Sequence, residues 1–396
     1  MSKPGASRPA AASTKLVDSI AKPRRQRVLH AFKIYFPEVF GGIPYAIAQA
    51  MVVRPDLFEH ELLVCSTDPD AEQNRMEGVE RVRSFGNLMS LPLAPLYPFR
   101  LWQKMRDADA VVLHAPFPLA DLVLGLGLRR RVPLIVYWHS DIVSQKFFGR
   151  LLRPLLMATL NRASAILLSD PRILHRQELV DRFGAKLKAL PYPVDLSRFI
   201  LTHEEAKKVE ALRTAYPRMV LAVGRLVKYK GYDVLIEAAR SINGQIVIIG
   251  DGIEREALAR DIASGGMEDR VLMPGSLSER DLIVHLHAAQ VYTMPSVTNA
   301  ETFGIAQLEA MAAGCPIVNT ALETAVPLVA RDGIEAITVA PRDAVGLAQA
   351  INLLLDDPKM HQSRADAAKM RAASFSTDAF ASVCTEAICD AASAKA

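Results

Sequence analysis

No run of eighteen uninterrupted apolar residues occurs in this 396-residue sequence, although half of its residues are hydrophobic, so no segment is expected to span a bilayer. Cysteine is scarce: Cys65, Cys315, Cys384 and Cys389 are the whole complement, and none has metal-ligand spacing. So few thiols in so long a chain point to a reducing, cytoplasmic setting, with Cys384 and Cys389 as packing residues of an Ala-rich C-terminal helix. The N-terminus lacks the apolar centre of a secretory signal, and residues 1–27 hold seven Lys/Arg against one Asp. Residues 1–26 read as a disordered basic arm. Charge of one sign is also in short supply: a net +4 excludes a general nucleic-acid binder, and no nucleic-acid partner is expected.

What is present is a repeated grammar. From residue 27, near-continuous apolar runs alternate with helix-length segments: RVLHAF (27–32), HELLVCS (60–66), DAVVLHA (109–115), VPLIVYW (132–138) and SAILLS (164–169). Such runs are what strands buried on both faces of a parallel sheet require. After the Pro-rich LPYPVDLSRF (190–199) the pattern restarts with MVLAVG (219–224), QIVIIG (245–250), VLMPG (271–275), QVYTMP (290–295) and PIVNT (316–320). This predicts an α/β protein of two doubly wound Rossmann-like domains, over 27–198 and 199–374, facing across a cleft where strand C-terminal ends meet.

The strand exits carry the chemistry. MVLAVG leads to Arg225, Lys228 and Lys230 just before a helix, and a diphosphate needs both a bidentate donor and a point charge. QIVIIG ends in Gly250-Asp251-Gly252, a tight turn that lets a backbone approach a ligand. Gly41-Gly42, with Pro44 in the first helical turn, opens a helix whose free N–H groups would cradle an anion. VPLIVYW ends in His139-Ser140-Asp141. In "PSVTNAETFGIAQLEAMAAGCPIV" (295–318), Glu301 stands in a turn ahead of Phe303-Gly304, where a carboxylate accepts hydrogen bonds from vicinal sugar hydroxyls. Glu309 lies in the helix that follows, within a small apolar run, and a buried carboxylate needs a partner; a ribose diol suits it. Asp68-Pro-Asp70 and Asp107-Ala-Asp109 match a metal-binding Asp-x-Asp pattern, but two chance matches show how little that pattern discriminates, and no metal or other cofactor is expected.

Gly41-Gly42, His139, Val223-Gly224-Arg225 with Lys230-Gly231, Gly250-Asp251-Gly252 and above all Glu301-x-Phe-Gly-x4-Glu309-Ala-Met-Ala-x-Gly-x-Pro resemble retaining glycosyltransferases of the GT-B fold, family 4, the glycosyl transferases group 1. The resemblance covers residues 27 to about 375. It implies that Arg225 and Lys230 hold the donor's diphosphate, Glu301 the donor sugar, Glu309 the ribose, and Gly41-Gly42 the distal phosphate and the acceptor. It places His139 against the donor sugar, and it implies that the last helix, within 375–396, crosses back onto the N-terminal domain. WHSDIVSQK (138–146) is similar to bacterial surface-polysaccharide mannosyltransferases, which implies GDP-mannose as donor, UDP-hexoses being the alternative, and a polyprenyl-diphosphate-linked or saccharide acceptor. A sugar-nucleotide epimerase shares the architecture but not the Glu301/Glu309 segment. The basic clusters at 24–27, 100–106, 129–131 and 149–162 all fall in the first half, which points that half toward an anionic inner-membrane surface, with Phe147, Phe148, Arg150 and Arg153 as the expected contact.

Overall fold

The computed structural model describes residues 24–39, 41–68, 76–88, 91–139 and 146–393, with the backbone alone for 88 and 146–151. The expected basic arm thus lies outside the described residues apart from its last three, and Gln26 already belongs to a strand.

Two parallel sheets form the frame. The N-terminal half contributes β1 (Gln26–Ala31), β2 (Phe58–Ser66), β3 (Val79–Arg83), a small antiparallel hairpin of β4 (Asn87–Leu88) and β5 (Leu91–Pro92), then β6 (Ala110–Ala115), β7 (Leu134–Trp138), β8 (Ala165–Leu168) and β9 (Leu187–Ala189). Its seven-stranded sheet runs β3-β2-β1-β6-β7-β8-β9. The C-terminal half contributes β10 (Met219–Val223), β11 (Gln245–Ile249), β12 (Val271–Gly275), β13 (Val291–Met294), β14 (Ile317–Thr320) and β15 (Ala336–Val339), in the order β12-β11-β10-β13-β14-β15. In both sheets the order reverses beside the first strand, between β1 and β6 and between β10 and β13. Ligands of such sheets bind outside the strand C-termini at that reversal. Both sheets are thus doubly wound.

Three strands of the two parallel sheets lie outside the apolar runs of the sequence: β3, β9 and β15. In β3, VERVR mixes charge with valine, as the half-exposed edge of its sheet allows, and β9 is an edge of only three residues.

Period-2 alternation sorts each sheet's side chains into separate cores. Leu29, Val111, Leu113, Val136 and Ile166 face the outer layer of the N-terminal half, and Val220, Ala222, Ile246 and Ile248 that of the C-terminal half. The opposite faces share one apolar cluster, which holds Val28, Val112 and Tyr137 together with Leu221, Val247 and Met294. Aromatic rings join the halves within it: Tyr192 lies 4.9 Å from Phe303, Phe303 lies 6.1 Å from Phe375, and Tyr137 lies 6.2 Å from Phe380. The final helix, Thr377–Ser393, packs on β6 and β7, and Lys188 ties β9 to it through Glu386 at 2.7 Å and Asp390 at 3.3 Å.

Candidate active site

Lys230 ends a single turn of 3-10 helix, Lys228–Lys230, that follows β10. The next residue is left-handed, with φ 69° at Gly231, and a Cβ there would run into the Pro295 carbonyl and lie 2.8 Å from Val297 Cγ1. Only glycine allows the turn to press on the exit of β13, where the Val297 amide donates to the Tyr229 carbonyl at 2.8 Å. Because that exit leads directly to Glu301, one backbone contact sets both charged groups. Lys230 Nζ stands 2.5 Å from Glu301 Oε2, with the two side chains 13% and 11% exposed. Pairing at this depth removes the penalty of leaving either charge alone. Lys228 instead points outward, 3.9 Å from Asp233, and Arg225 is exposed at the mouth with no ion pair among the described residues.

The Tyr232 hydroxyl, buried with no hydrogen-bond partner among the described residues, lies beside this pair: a Cβ on Gly224 would be 2.9 Å from it and 3.3 Å from Lys230 Nζ. Burial, and next the charge of Glu301, raises the Tyr232 phenol, so its hydroxyl keeps its proton and is available as a donor. Unpartnered buried polar atoms beside an ion pair are what a polar ligand would complete.

Gly250 and Gly252 have a packing reason to lack a side chain. A Cβ on Gly250 would overlap the Gly224 carbonyl, and one on Gly252 the Leu226 backbone. The two glycines let the β11 exit nest against the β10 exit, with Leu226 N donating to the Asp251 carbonyl at 2.9 Å. Asp251 is exposed and caps its own turn through Gly252 N at 2.7 Å.

Phe303 is buried against Tyr192, and Gly304 begins the helix Ile305–Ala312 that carries Glu309. Gly42, at the start of the helix Gly42–Met51, faces that same helix so closely that a Cβ would overlap Ile305 Cδ1; Gly41 precedes it as the cap. Glu309 has a partner that the sequence did not reveal: Arg198 Nη1 lies 3.6 Å from its Oε1. Burial raises the Glu309 carboxyl and Arg198 opposes that shift. Arg198 also holds Glu279 at 2.6 Å and lies 5.6 Å over the Tyr45 ring, so it links the Gly42 helix to Glu309.

His139 reaches the cleft floor but is only 1% exposed. Its Nε2 is 3.0 Å from His114 Nδ1 and its Nδ1 is 3.0 Å from the Tyr192 hydroxyl, so the ring has no free nitrogen for a sugar. Burial, aided by the charge of Lys33, depresses its pKa to about 3. Ser140 and Asp141 lie outside the described residues, as does Asp70. Asp107 and Asp109 stand before β6, at the end of the strand opposite the cleft, engaged by Arg106 at 3.4 Å and by Arg24 at 3.2 Å. Among the described residues no three His, Cys, Asp or Glu side chains form a group that could hold a metal ion.

Residues 204–371 match the model of glycosyl transferases group 1 and residues 46–198 that of glycosyltransferase family 4. The alpha-D-kanosaminyltransferase of Streptomyces kanamyceticus is 31% identical over 69% of this chain and 72% of its own. The chain belongs to the glycosyl transferases group 1. The O-antigen chain mannosyltransferase C of Escherichia coli is 27% identical to this group 1 glycosyltransferase over 83% of the chain and 88% of the relative. Anabaena HepE in complex with UDP superposes with a TM-score of 0.76 at 20% identity, over 91% of this chain and 98% of that one, which makes the fold GT-B.

Proposed function

We propose that this glycosyltransferase moves mannose from GDP-mannose to a lipid-linked or saccharide acceptor of surface polysaccharide synthesis, with retention of configuration and without a metal. The observation that carries the mechanism is the Lys230–Glu301 pair at the β10 and β13 exits, flanked by the unpartnered Tyr232 hydroxyl. Breaking the sugar–phosphate bond builds negative charge on the departing diphosphate, and a cation fixed beforehand in a sheltered cleft stabilises that charge without reorganising. Lys230 fills this role, and the exposed Arg225 supplies a guanidinium at the mouth. Glu301 orients Lys230 and accepts hydrogen bonds from sugar hydroxyls. Glu309, steadied by Arg198, accepts from the ribose. The acceptor enters from the side of Gly42 and attacks the face the diphosphate leaves. His139, with both ring nitrogens engaged, shapes the floor of the site rather than moving a proton. The mannose assignment rests on the sequence around Trp138–Lys146 and on the Escherichia coli relative, and UDP-hexose is its rival.

A thermal-shift screen over GDP-, UDP- and ADP-sugars tests the donor, since a ligand that binds only the native state raises its melting temperature. GDP-mannose should give the largest shift. A larger shift with a UDP-sugar, or a product of inverted anomeric configuration by NMR, refutes that part of the reading.

For the membrane partner, a second surface of the N-terminal half is the one the described side chains support. Side chains of Phe147, Phe148 and Arg150 lie outside the described residues; Leu156, in the same helix, is buried, and Arg153 is paired with Glu178 at 2.8 Å. Exposed apolar side chains gather instead on the helices Tyr97–Lys104 and Pro118–Gly125 and the turn after them: Phe99, Trp102, Leu122, Leu126 and Leu128. Phe99 and Trp102 stack at 6.0 Å, and the Arg129 guanidinium lies 4.5 Å over Trp102. Arg130 and Arg131 are exposed beside them. Apolar side chains rimmed by cations suit an anionic lipid surface, from which a lipid-linked acceptor would be drawn.

A further inference from the structure

Four histidines form one unbroken hydrogen-bonded line through the N-terminal half. His60 Nε2 is 2.9 Å from the Val53 carbonyl, His60 Nδ1 is 3.0 Å from His30 Nε2, and His30 Nδ1 is 3.1 Å from His114 Nε2. The line continues from His114 Nδ1 to His139 Nε2 at 3.0 Å and from His139 Nδ1 to the Tyr192 hydroxyl at 3.0 Å.

The sheet places them by a simple rule. In the registers of neighbouring strands His60 lies opposite Val28, His30 opposite Val112, and His114 opposite Tyr137. Each histidine is thus two residues further along its strand than the partner of the previous one. Two residues keep the side chain on the same face. The rings therefore climb diagonally across β2, β1 and β6 to the end of β7, from the Val53 carbonyl to the cleft.

That carbonyl also sets the direction. A carbonyl oxygen only accepts, so His60 carries its proton on Nε2 and leaves Nδ1 as an acceptor. His30 must then donate from Nε2 and accept at Nδ1, and His114 and His139 follow in the same sense. At the end His139 Nδ1 is an acceptor, and the Tyr192 hydroxyl must donate to it. A line closed by a carbonyl cannot take up or release a proton there, so it orients rather than conducts.

Tyr192 is the linker residue whose ring packs 4.9 Å from Phe303, beside Gly42. We propose that the histidine line is a tautomer lock: His60, His30 and His114 are positioning residues that fix His139 as an acceptor, hold Tyr192 by its hydroxyl, and through Phe303 seat the Glu301–Gly304 loop. The functional half of this statement rests on the reading of the cleft as a transfer site; the lock itself does not.

The test begins with NMR on the full-length protein carrying nitrogen-15 histidine, which distinguishes the two neutral tautomers independently of activity. His30, His60, His114 and His139 should all be neutral and protonated at Nε2 at pH 7. His60→Leu removes the anchor far from any substrate, so the His139 signals should shift toward a mixture. Its kcat should fall about fivefold, the worth of one net hydrogen bond, with donor KM changed less than twofold. His60→Asn, whose amide oxygen can accept from His30, should restore the His139 signals and much of kcat. An Nδ1-protonated neutral ring in the wild-type protein overturns the lock, and so do His139 signals indifferent to His60→Leu. The predicted tautomers in a protein that transfers no sugar would refute the proposed function and leave the lock standing.

Discussion

The two halves share one architecture and handle ionisable groups in opposite ways. The C-terminal half brings charges to the cleft as pairs, Lys230 with Glu301 and Glu309 with Arg198 from the linker. The N-terminal half buries His30, His114 and His139 uncharged in its sheet, with His60 half-buried, and carries cations and apolar side chains on its outside. The proposed function accounts for the difference: a nucleotide diphosphate against the C-terminal half would supply charge that needs opposing charge waiting for it, whereas an acceptor hydroxyl against the N-terminal half would bring none.

The largest effect should come from the charged half. Lys230→Ala and Glu301→Ala should each lower kcat on the order of 10²-fold, the usual loss for one preorganised donor, with circular dichroism unchanged. Near wild-type turnover in both would remove the pair from the mechanism. On the outer face of the N-terminal half, each basic residue near anionic lipid contributes about 1 kcal/mol, so Arg130→Ala with Arg131→Ala should weaken pelleting with anionic vesicles by about 30-fold. Trp102→Ala and Leu126→Ala should weaken it further, while donor-induced thermal shifts stay the same. Equal pelleting with neutral vesicles would dismiss the surface.

A smaller contrast appears on acidification. Unfolded histidines gain a proton below about pH 6.5, whereas His139 stays neutral in the folded protein down to about 3. The unfolded state therefore binds more protons across that window, and stability falls as pH drops through it, by up to about 1.4 kcal/mol per pH unit for each buried histidine. Hydrogen exchange at pH 5 should show the amides of β1, β6 and β7 losing protection before those of β10 and β13; the reverse order would break the comparison. The smallest effect expected is none: EDTA should leave the transfer rate unchanged, and loss of turnover restored by Mn²⁺ would show that fixed cations do not suffice.

Much of the C-terminal half is legible in the sequence because its signals are local. QIVIIG and MVLAVG are unbroken strands, and Glu301 and Glu309 lie on either side of one helix start, so their relation follows from a short stretch. The edge strand β3 escapes because VERVR holds three charged residues among its five, and β15 because AITV offers an apolar run of only four residues. Arg198 and Tyr192 escape for another reason: both sit in the Pro-rich stretch that reads as a boundary between domains, and their roles depend on partners far along the chain. Gly250 and Gly252 were legible as positions of close approach, though the sequence could not say that the approaching group is another loop.

By itself the sequence determined two doubly wound domains, their family, and the charged residues at the β10 and β13 exits, because apolar runs and short motifs act over a few residues. Only the tertiary structure decided that Lys230 pairs with Glu301, that Arg198 serves Glu309, and that four histidines join into one line. His30 and His114 are 84 residues apart, and nothing in either segment indicates the other. Their contact exists because β1 and β6 are neighbours in a register that puts His114 two residues beyond the partner of His30, and a slip of one residue would send the ring to the opposite face.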